Sequence, residues 1–374
     1  METRIFDTDH HVTPPPDMWT SRMAKKYQDI APRVVDLPDG GQAWSFDGGA
    51  IMHLFGLENV GGVEPTQLTW KANYNDLPKS YYDPQARLET MDRDGTDVAL
   101  LFPSVAGQAA AIYDDDIYFA HIQAYNDGIW DWAQEGDPKR MLPAAHLPNR
   151  GVELAMQELD RVAKKGFVHL QFTGSPSGSP LPVAGDDPFW AMAEETGMVV
   201  SMHGGGSAGR PKPKAPSKGA PAPPVRDQET IAAMRSSGLG AQTALGLVIL
   251  SGVLERFPKL KVSLIETSTG WLPQFLDQLD AVYTQHRWLG EQKLSRLPSE
   301  YAKQVLISVD REIQGIKHRH QVGVDNITFG TDYPHIGSFW PHTRFYIDLL
   351  FDGVPEDERE KILWSNAATM YGVN

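Results

Sequence analysis

The chain contains no cysteine among its 374 residues. This excludes disulfide bonds, thiolate metal ligands and a cysteine nucleophile. Positive charge is also scarce, because 34 Lys and Arg residues stand against 48 Asp and Glu residues and leave a formal net charge of −14. Such a balance argues against nucleic acid or an anionic membrane as a partner.

Long apolar runs are missing as well. The longest, GLVILSGVL, is too short to cross a bilayer, and no basic segment followed by an apolar one opens the chain. We therefore expect a cytoplasmic protein that does not associate with membranes. Hydrophobic residues make up 41% and charged residues 22% of the chain, which are ordinary values for a globular protein with a deep core.

Short apolar runs alternate with helical patterns along the whole chain. Strands are expected at about 4–9, 97–102, 141–146, 167–172, 198–203, 261–266, 305–309 and 327–332. Eight strands alternating with helices predict an α/β fold, a single (β/α)8 TIM barrel formed by residues 1–374. An open doubly wound sheet would need a Gly-rich phosphate turn after its first strand, and DTDHHVTPPPD has none.

Two long insertions interrupt the alternation at the catalytic face expected for such a barrel. Residues 36–82 are rich in Gly and aromatic residues, which predicts either a cap over the substrate or a surface subdomain with its own small core. Residues 204–226 form a low-complexity segment of Pro, Gly and Lys, which predicts a poorly ordered flap directly after His203. A working lid and a simple disordered excursion are both consistent with that composition.

Four ligand-type side chains stand where apolar runs end. Asp9 and His11 lie in RIFDTDHHV, His203 ends MVVSMH, and Asp332 follows NITFGT. Since side chains alternate along a strand, Asp9 and His11 are expected to point to the same side and His10 to the other. Two imidazoles and two carboxylates delivered from strand ends predict a site for one divalent metal ion.

Several longer motifs accompany these residues, among them RLETMDRDGTDVALLFPS, SMHGG, IETSTGWLPQFLDQLD, FGTDYPH and WSNAATMYG. With them the chain resembles the amidohydrolase superfamily, in the amidohydrolase-related branch that includes aminocarboxymuconate-semialdehyde decarboxylase-like enzymes. The resemblance covers nearly the whole chain and implies a (β/α)8 barrel with one catalytic metal ion. Zinc is the expected metal and manganese the alternative. The metal ligands of the family fall on Asp9, His11, His203 and Asp332.

Two departures from the family pattern bear on the chemistry. The fourth strand contains His169 but no lysine that could bridge two metal ions as a carbamate, and the sixth ends at Glu266 where the branch's decarboxylases usually have histidine. The resemblance implies that Asp332 contacts the metal and also accepts a proton from a bound water. His335 and His10 are expected to transfer protons or orient ligands. Glu266 is expected to act as a general base or to bind substrate, with a helix N-cap or a salt bridge as the structural alternatives.

Three functions are consistent with these residues. The missing strand-six histidine favours a hydrolase, in which a metal-activated water attacks a small carboxylated or cyclic substrate. The alternative is a non-oxidative decarboxylase, a carbon–carbon lyase that acts on an aromatic or unsaturated carboxylic acid. The third is a barrel that only binds its ligand, which a lack of metal would support. In each case the partner is a small molecule, and we expect a homo-oligomer (a dimer).

Overall fold

The computed structural model describes residues 3–38, 40–49, 51–54, 64, 69, 71–172, 174–204, 237–289 and 293–373. The strands of this part of the chain are β1 (Phe6–Val12), β2 (Arg33–Asp36), β3 (Gln42–Phe46), β4 (Ile51–Leu54), β5 (Val98–Pro103), β6 (Met141–His146), β7 (His169–Gln171), β8 (Val199–His203), β9 (Val262–Ile265), β10 (Val305–Val309) and β11 (Ile327–Phe329). Its α-helices are α1 (Pro84–Asp94), α2 (Asp115–Glu135), α3 (Val152–Lys165), α4 (Asp187–Thr196), α5 (Ser237–Leu250), α6 (Val253–Arg256), α7 (Leu272–His286), α8 (Pro298–Ala302), α9 (Ile313–Lys317), α10 (Arg319–Val322), α11 (Thr343–Leu350), α12 (Glu356–Glu360) and α13 (Asn366–Tyr371).

Strand β1 and strands β5 to β11 form a closed parallel barrel in chain order, in which β1 pairs with both β5 and β11. Helices connect the successive strands. This confirms the predicted (β/α)8 barrel, and each of its strands overlaps the run that was expected to form it. Parallel strands are covered on both faces, which explains why a run such as VALLFP in β5 is buried at every position.

The barrel interior near the start of β1 is filled by large side chains. Phe6 is fully buried and packs against Trp364 and Tyr371, with ring centroids 5.9 and 5.8 Å apart. These two aromatic residues belong to the last helical segments of the chain. The C-terminal region therefore closes the barrel at the end opposite to the carboxyl ends of the strands.

Strong local signals set the ends of the first barrel helix. The Asp83 carboxylate accepts a hydrogen bond from the Ala86 backbone N–H at 2.8 Å, and Pro84 occupies the first helical position. Gly95 ends α1 with a φ of 81°, a left-handed conformation that glycine adopts without strain. The helix can therefore stop abruptly and return the chain into β5.

The described part of residues 36–82 lies outside the barrel. Strands β2, β3 and β4 form a separate antiparallel sheet, in which Trp44 is buried and packs edge-on against Trp19 at 5.3 Å. The segment is connected to the end of β1, because the Thr13 backbone N–H donates to the Tyr81 carbonyl at 3.0 Å. A role as a substrate cap stays a prediction.

The predicted flap at 204–226 lies outside the described residues except for Gly204, where β8 ends in a turn. In the described ranges, no helix is both long enough and apolar enough to cross a membrane. The oligomeric state stays a prediction.

Candidate active site

Polar side chains cluster at the C-terminal ends of four barrel strands. Asp9 and His11 lie near the end of β1, and His203 is the last residue of β8. Glu266 follows β9 directly, and Asp332 lies three residues past the end of β11. Because the strands are parallel, these ends meet at one face of the barrel, which is where barrel enzymes carry their active sites.

The four residues expected to bind a metal are brought together, and His11 lies between the others. Nε2 of His203 is 3.0 Å and Nε2 of His11 is 3.3 Å from Oδ1 of Asp9. Nε2 of His11 is also 3.5 Å from Oδ1 of Asp332. That oxygen is in turn 2.6 Å from Nδ1 of His335. His335, which was expected to move protons, therefore stands beside the same ligand atoms.

Two overlapping sets of three side chains could each hold a metal ion. Asp9, His11 and His203 form one set, and His11, Asp332 and His335 form the other, with the ligand atoms of each set within 4.8 Å of one another. His11 is shared by both. The assignment of Asp9, His11, His203 and Asp332 as ligands of a single ion stays a prediction, with His335 as an additional donor at the same place.

Buried atoms without partners show that these residues fit a cation. Among the described residues, neither Nε2 of His11 nor Oδ2 of Asp9 has a hydrogen-bond partner, although both residues are almost fully buried. Leaving such polar groups unpaired in a protein interior is costly. Imidazole nitrogens and carboxylate oxygens are also the ligands that zinc accepts and, for the carboxylates, that manganese prefers.

Two of the residues at the site have a strained backbone. Glu266 and Asp332 have φ values of 56° and 62°, a left-handed conformation that costs a non-glycine residue about 1–3 kcal/mol. Hydrogen bonds hold both in place. The Glu266 N–H donates to Oγ of Ser308 at 2.9 Å, and the Asp332 N–H donates to the Asp9 carbonyl at 2.9 Å. The fold thus imposes the direction in which these two carboxyl groups leave the barrel.

Asp7 connects the two strand ends that carry Asp9 and Asp332. Its Oδ1 accepts hydrogen bonds from the backbone N–H groups of Asp9 and Thr331, both at 3.0 Å. Its Oδ2 lies 3.0 Å from Nε2 of His10. The His10 ring is therefore held by Asp7, and the expectation that it points away from Asp9 and His11 stays a prediction. A shift of register between Asp7 and His10 accompanies this arrangement.

Burial and electrostatic interactions among the ligand groups together shift the pKa values of these groups. Burial raises the pKa of Asp9, but His203 and His11 together hold that pKa well below its usual range. Burial, together with the nearby charge of His335, lowers the pKa of His11 to about 3. Burial also acts to lower the pKa of His203, but the charge and the hydrogen bond of Asp9 raise it overall. The lowered pKa values favour a carboxylate at Asp9 and a neutral imidazole at His11, which are the forms that bind metal.

Glu266 lies at the edge of this cluster. Its Oε2 is 3.7 Å from Nδ1 of His203, and its side chain is 30% exposed. Burial and the neighbouring charge of Asp332 raise the pKa of Glu266 to about 7. The alternative role as a helix cap is wrong, because the N-cap of α7 is Trp271 and no side chain forms the capping hydrogen bond there.

The sequence did not single out the two residues that follow β10, although they also stand at a strand end. The guanidinium of Arg311 has one nitrogen 3.6 Å from Oδ2 of Asp332. Asp310 is buried, and burial together with the charge of Glu312 raises its pKa well above the usual range. The reasoning that identified Glu266 after β9 applies equally here, but neither residue had a motif that marked it.

The chain was compared with protein families and solved structures. The amidohydrolase family model matches residues 6–373. An amidohydrolase from Mycobacterium avium subsp. paratuberculosis K-10 has 19% identity and a TM-score of 0.74, with 100% of this chain and 99% of that chain covered. The 5-carboxyvanillate decarboxylase from Sphingomonas paucimobilis has 21% identity and a TM-score of 0.66, with 100% of both chains covered.

A third similar structure is a dihydroxybenzoic acid decarboxylase from Polaromonas sp. JS666 with bound manganese and the inhibitor 2-nitroresorcinol. It has 18% identity and a TM-score of 0.65, with 100% of this chain and 98% of that chain covered. At these identities the likeness to solved structures establishes the fold. The match of the family model over nearly the whole length establishes more: the chain is a metal-dependent enzyme that belongs to the amidohydrolase family.

Proposed function

We propose that this enzyme is a non-oxidative decarboxylase of aromatic carboxylic acids. The observation that carries the proposal is the convergence of Asp9, His11, His203 and Asp332 beside the carboxyl group of Glu266. The full-length likeness to 5-carboxyvanillate and dihydroxybenzoate decarboxylases supports this reaction over the hydrolysis that was favoured from the sequence. Hydrolysis becomes the alternative.

One divalent ion is proposed to bind to Asp9, His11, His203 and Asp332. Zinc was the metal expected from the sequence, and the manganese in the decarboxylase from Polaromonas supports manganese equally. A bound divalent ion supplies Lewis acidity that polarises the oxygen atoms of a substrate. A second ion is not expected, since β7 presents His169, whose Nε2 contacts the Leu142 carbonyl at 2.9 Å, in place of a bridging lysine.

Decarboxylation requires a proton donor at the ring. The bond between the ring carbon and the carboxylate breaks, its electron pair stays on the ring carbon, and a proton must replace the released carbon dioxide. We assign this proton to the carboxyl group of Glu266, which lies beside the ligand cluster and is 30% exposed, so that it can exchange protons with solvent. Nδ1 of His335 lies 2.6 Å from Oδ1 of Asp332, so we assign to His335 the role of orienting the Asp332 carboxylate.

The two candidate reactions demand opposite proton transfers. Hydrolysis needs a base that takes a proton from water, whereas decarboxylation needs an acid that delivers a proton to carbon. The same carboxyl groups could fill both roles. The two reactions must therefore be distinguished by their products. In deuterated water, a decarboxylase places one deuterium at the ring carbon that lost the carboxylate.

The test is an assay of the zinc-loaded and manganese-loaded enzyme with hydroxylated benzoates and hydroxylated benzene dicarboxylates. We expect release of carbon dioxide and singly deuterated phenols, detected by mass spectrometry. A parallel panel of amides, esters and lactones tests hydrolysis. Turnover of that panel without carbon dioxide release from any acid would refute the proposal. The His203→Ala variant serves as the metal-free control.

A further inference from the structure

Two barrel strands that supply no proposed metal ligand also end in polar residues. His146 is the last residue of β6, and Gln171 is the last residue of β7. The two strands pair in parallel, and His146 lies directly beside Gln171 in their register. Because residues that are side by side in a parallel pair point to the same face of the sheet, the two side chains lie on one face.

Alternation along the strands places both side chains inside the barrel. Ala144 belongs to the apolar cluster that fills the barrel, and the ring of His169 lies 5.5 Å from that of Tyr371 in the same interior. His146 and Gln171 each follow one of these inward residues by two positions. Both therefore face the barrel interior, nearer to the catalytic face.

The register of β7 and β8 places this pair next to the ligand cluster. Ser201 is the neighbour of Gln171 on β8, and His203 follows Ser201 by two positions on the same face. Strands about 4.8 Å apart with a rise of about 3.3 Å per residue separate such diagonal neighbours by about 8 Å. A ring bound at the ligand cluster can therefore reach Gln171 and His146 with a substituent.

The side chains of this pair carry buried polar atoms without partners. Among the described residues, neither Nδ1 of His146 nor Oε1 of Gln171 has a hydrogen-bond partner. By contrast, other polar groups inside the barrel bond to one another, since Oγ of Ser263 donates to Oγ of Ser201 at 3.0 Å and lies 2.9 Å from the hydroxyl of Tyr371. Unpaired buried groups cost free energy, which a ligand that pairs them restores.

The backbone of His146 is nevertheless held firmly. Oδ1 of Asn126 accepts from the His146 N–H at 2.8 Å, and Nδ2 of Asn126 donates to the His146 carbonyl at 2.9 Å. Nδ2 of Asn126 also donates to Glu158 at 2.6 Å, and Glu158 accepts from Arg161 at 2.7 Å. Asn126 and Glu158 are fully buried. The end of β6 is thus fixed by a buried polar network, the kind of support that a binding residue needs.

We propose, on the basis of the proposed decarboxylase function, that His146 and Gln171 bind a hydroxyl substituent on the aromatic ring of the substrate. The substrate class is then a ring-hydroxylated aromatic acid.

The chemistry of the pair selects this group. Burial lowers the pKa of His146 to about 4, so the imidazole is neutral and offers no counter-charge to a carboxylate. A hydroxyl group can donate to Oε1 of Gln171 and accept from the imidazole N–H. A methoxy group has no proton to donate, so it leaves Gln171 unpaired.

The test compares the binding of matched acids by isothermal titration calorimetry. The probes are the isomeric dihydroxybenzoates, each matched with the monohydroxybenzoate and the methoxy analogue that lack one hydroxyl, with the manganese-loaded enzyme. We expect one dihydroxybenzoate to bind about 5–50-fold more tightly than both of its matched acids, as for the pairing of buried polar groups.

His146→Leu and Gln171→Leu should each reduce this difference to less than about threefold, because one partner of the hydroxyl is removed. Affinity for the monohydroxybenzoate should stay within the same range. His146→Asn keeps a polar atom close to the position of Nδ1 and should retain part of the difference. The matched control is His318→Leu, at an exposed position, which should leave all affinities unchanged. Metal content measured for each variant shows that the ligand cluster is intact.

The stability of the ligand-free protein separates a binding role from a structural one. Leucine at position 146 removes a buried polar atom that has no partner, so the urea midpoint of His146→Leu should equal or exceed that of the wild type. A structural role for the imidazole predicts a lower midpoint.

Equal affinities of the wild type for the dihydroxybenzoates and their matched acids would overturn the inference. A difference that survives in both leucine variants would do so too, as would a lower urea midpoint in His146→Leu with equal losses for all acids. Carbon dioxide release is measured on the same samples. If no acid releases carbon dioxide while the His146-dependent difference persists, the proposed reaction fails and the hydroxyl site stands. If carbon dioxide is released and the difference is absent, the reaction stands and the site fails.

Discussion

The Glu266→Gln variant tests the proposed proton donor without changing the proposed metal ligands. The amide keeps the size of the side chain but holds no transferable proton, and it leaves Asp9, His11, His203 and Asp332 unchanged. Turnover should fall by about 10²–10⁴-fold, the range for loss of general acid–base catalysis. Metal content, measured by elemental analysis, should stay at the wild-type value. Glu312→Gln is the control on the same barrel face, and its turnover should remain within about threefold of the wild type.

The same variant has a measurable effect on stability in the metal-free protein. The folded-state pKa of Glu266 is raised from 4.5 to about 7. A group with a raised folded pKa contributes stability at low pH, and that contribution is lost as the pH rises from 4.5 through about 7. A shift of this size corresponds to roughly 3 kcal/mol at most. Because the side chain is 30% exposed, solvent screening reduces the expected effect to about 1–2 kcal/mol.

Glutamine does not titrate, so the free energy of unfolding of Glu266→Gln relative to the wild type should rise by that amount between pH 5 and pH 8. Urea unfolding of chelator-treated protein at both pH values measures the difference. Glu300→Gln, at an exposed position, should show almost no such change. A wild-type and Glu266→Gln difference that is the same at both pH values would refute the electrostatic reasoning. Unchanged turnover would refute the catalytic assignment independently.

Three further predictions concern the metal and its support. His203→Ala should lose the metal, and full metal content by elemental analysis would contradict the ligand assignment. Metal occupancy of the wild type, measured after dialysis, should fall below about pH 6, because imidazoles must be neutral to bind a cation. Asp7→Ala should lower the free energy of unfolding by about 3–5 kcal/mol, because it leaves His10 and two buried backbone N–H groups without their acceptor. Asp7→Asn keeps one acceptor oxygen, so urea unfolding should show a smaller loss.

The barrel could be predicted because each of its strands is encoded by a short, continuous run of residues. Each strand is a short apolar run, and a run such as VALLFP is stable when it is buried between the barrel interior and the surrounding helices. The small antiparallel sheet of β2, β3 and β4 was not predicted from the sequence. Strand β2 lies almost entirely before the predicted insertion at 36–82, and β3 and β4 lie within it. The insertion shows aromatic and glycine composition without a clear period, so composition indicated an insertion but could not indicate strands.

The site was predictable where strand ends carried recognisable motifs, as at Asp9, His203 and Asp332. The site was harder to predict where the role of a residue depends on contacts with residues that are distant in the sequence. Asp7 stands two residues before Asp9. Its role at the site depends on the hydrogen bond that it accepts from Thr331, which is 324 positions away in the chain. Arg311 was missed for the same reason, because its contact with Asp332 joins the ends of two different strands. Such contacts follow from closure of the barrel, which no single segment of the sequence encodes.

The proposed assignments also agree with the charge balance of the proposed reaction. With a divalent ion bound, Asp9 and Asp332 would balance its two positive charges, and a protonated Glu266 would add no charge. An aromatic carboxylate would bring one negative charge to this site. Loss of carbon dioxide with uptake of one proton removes that charge and leaves a neutral product. The site would therefore attract the product less strongly than the substrate, which favours both binding of the reactant and release of the product.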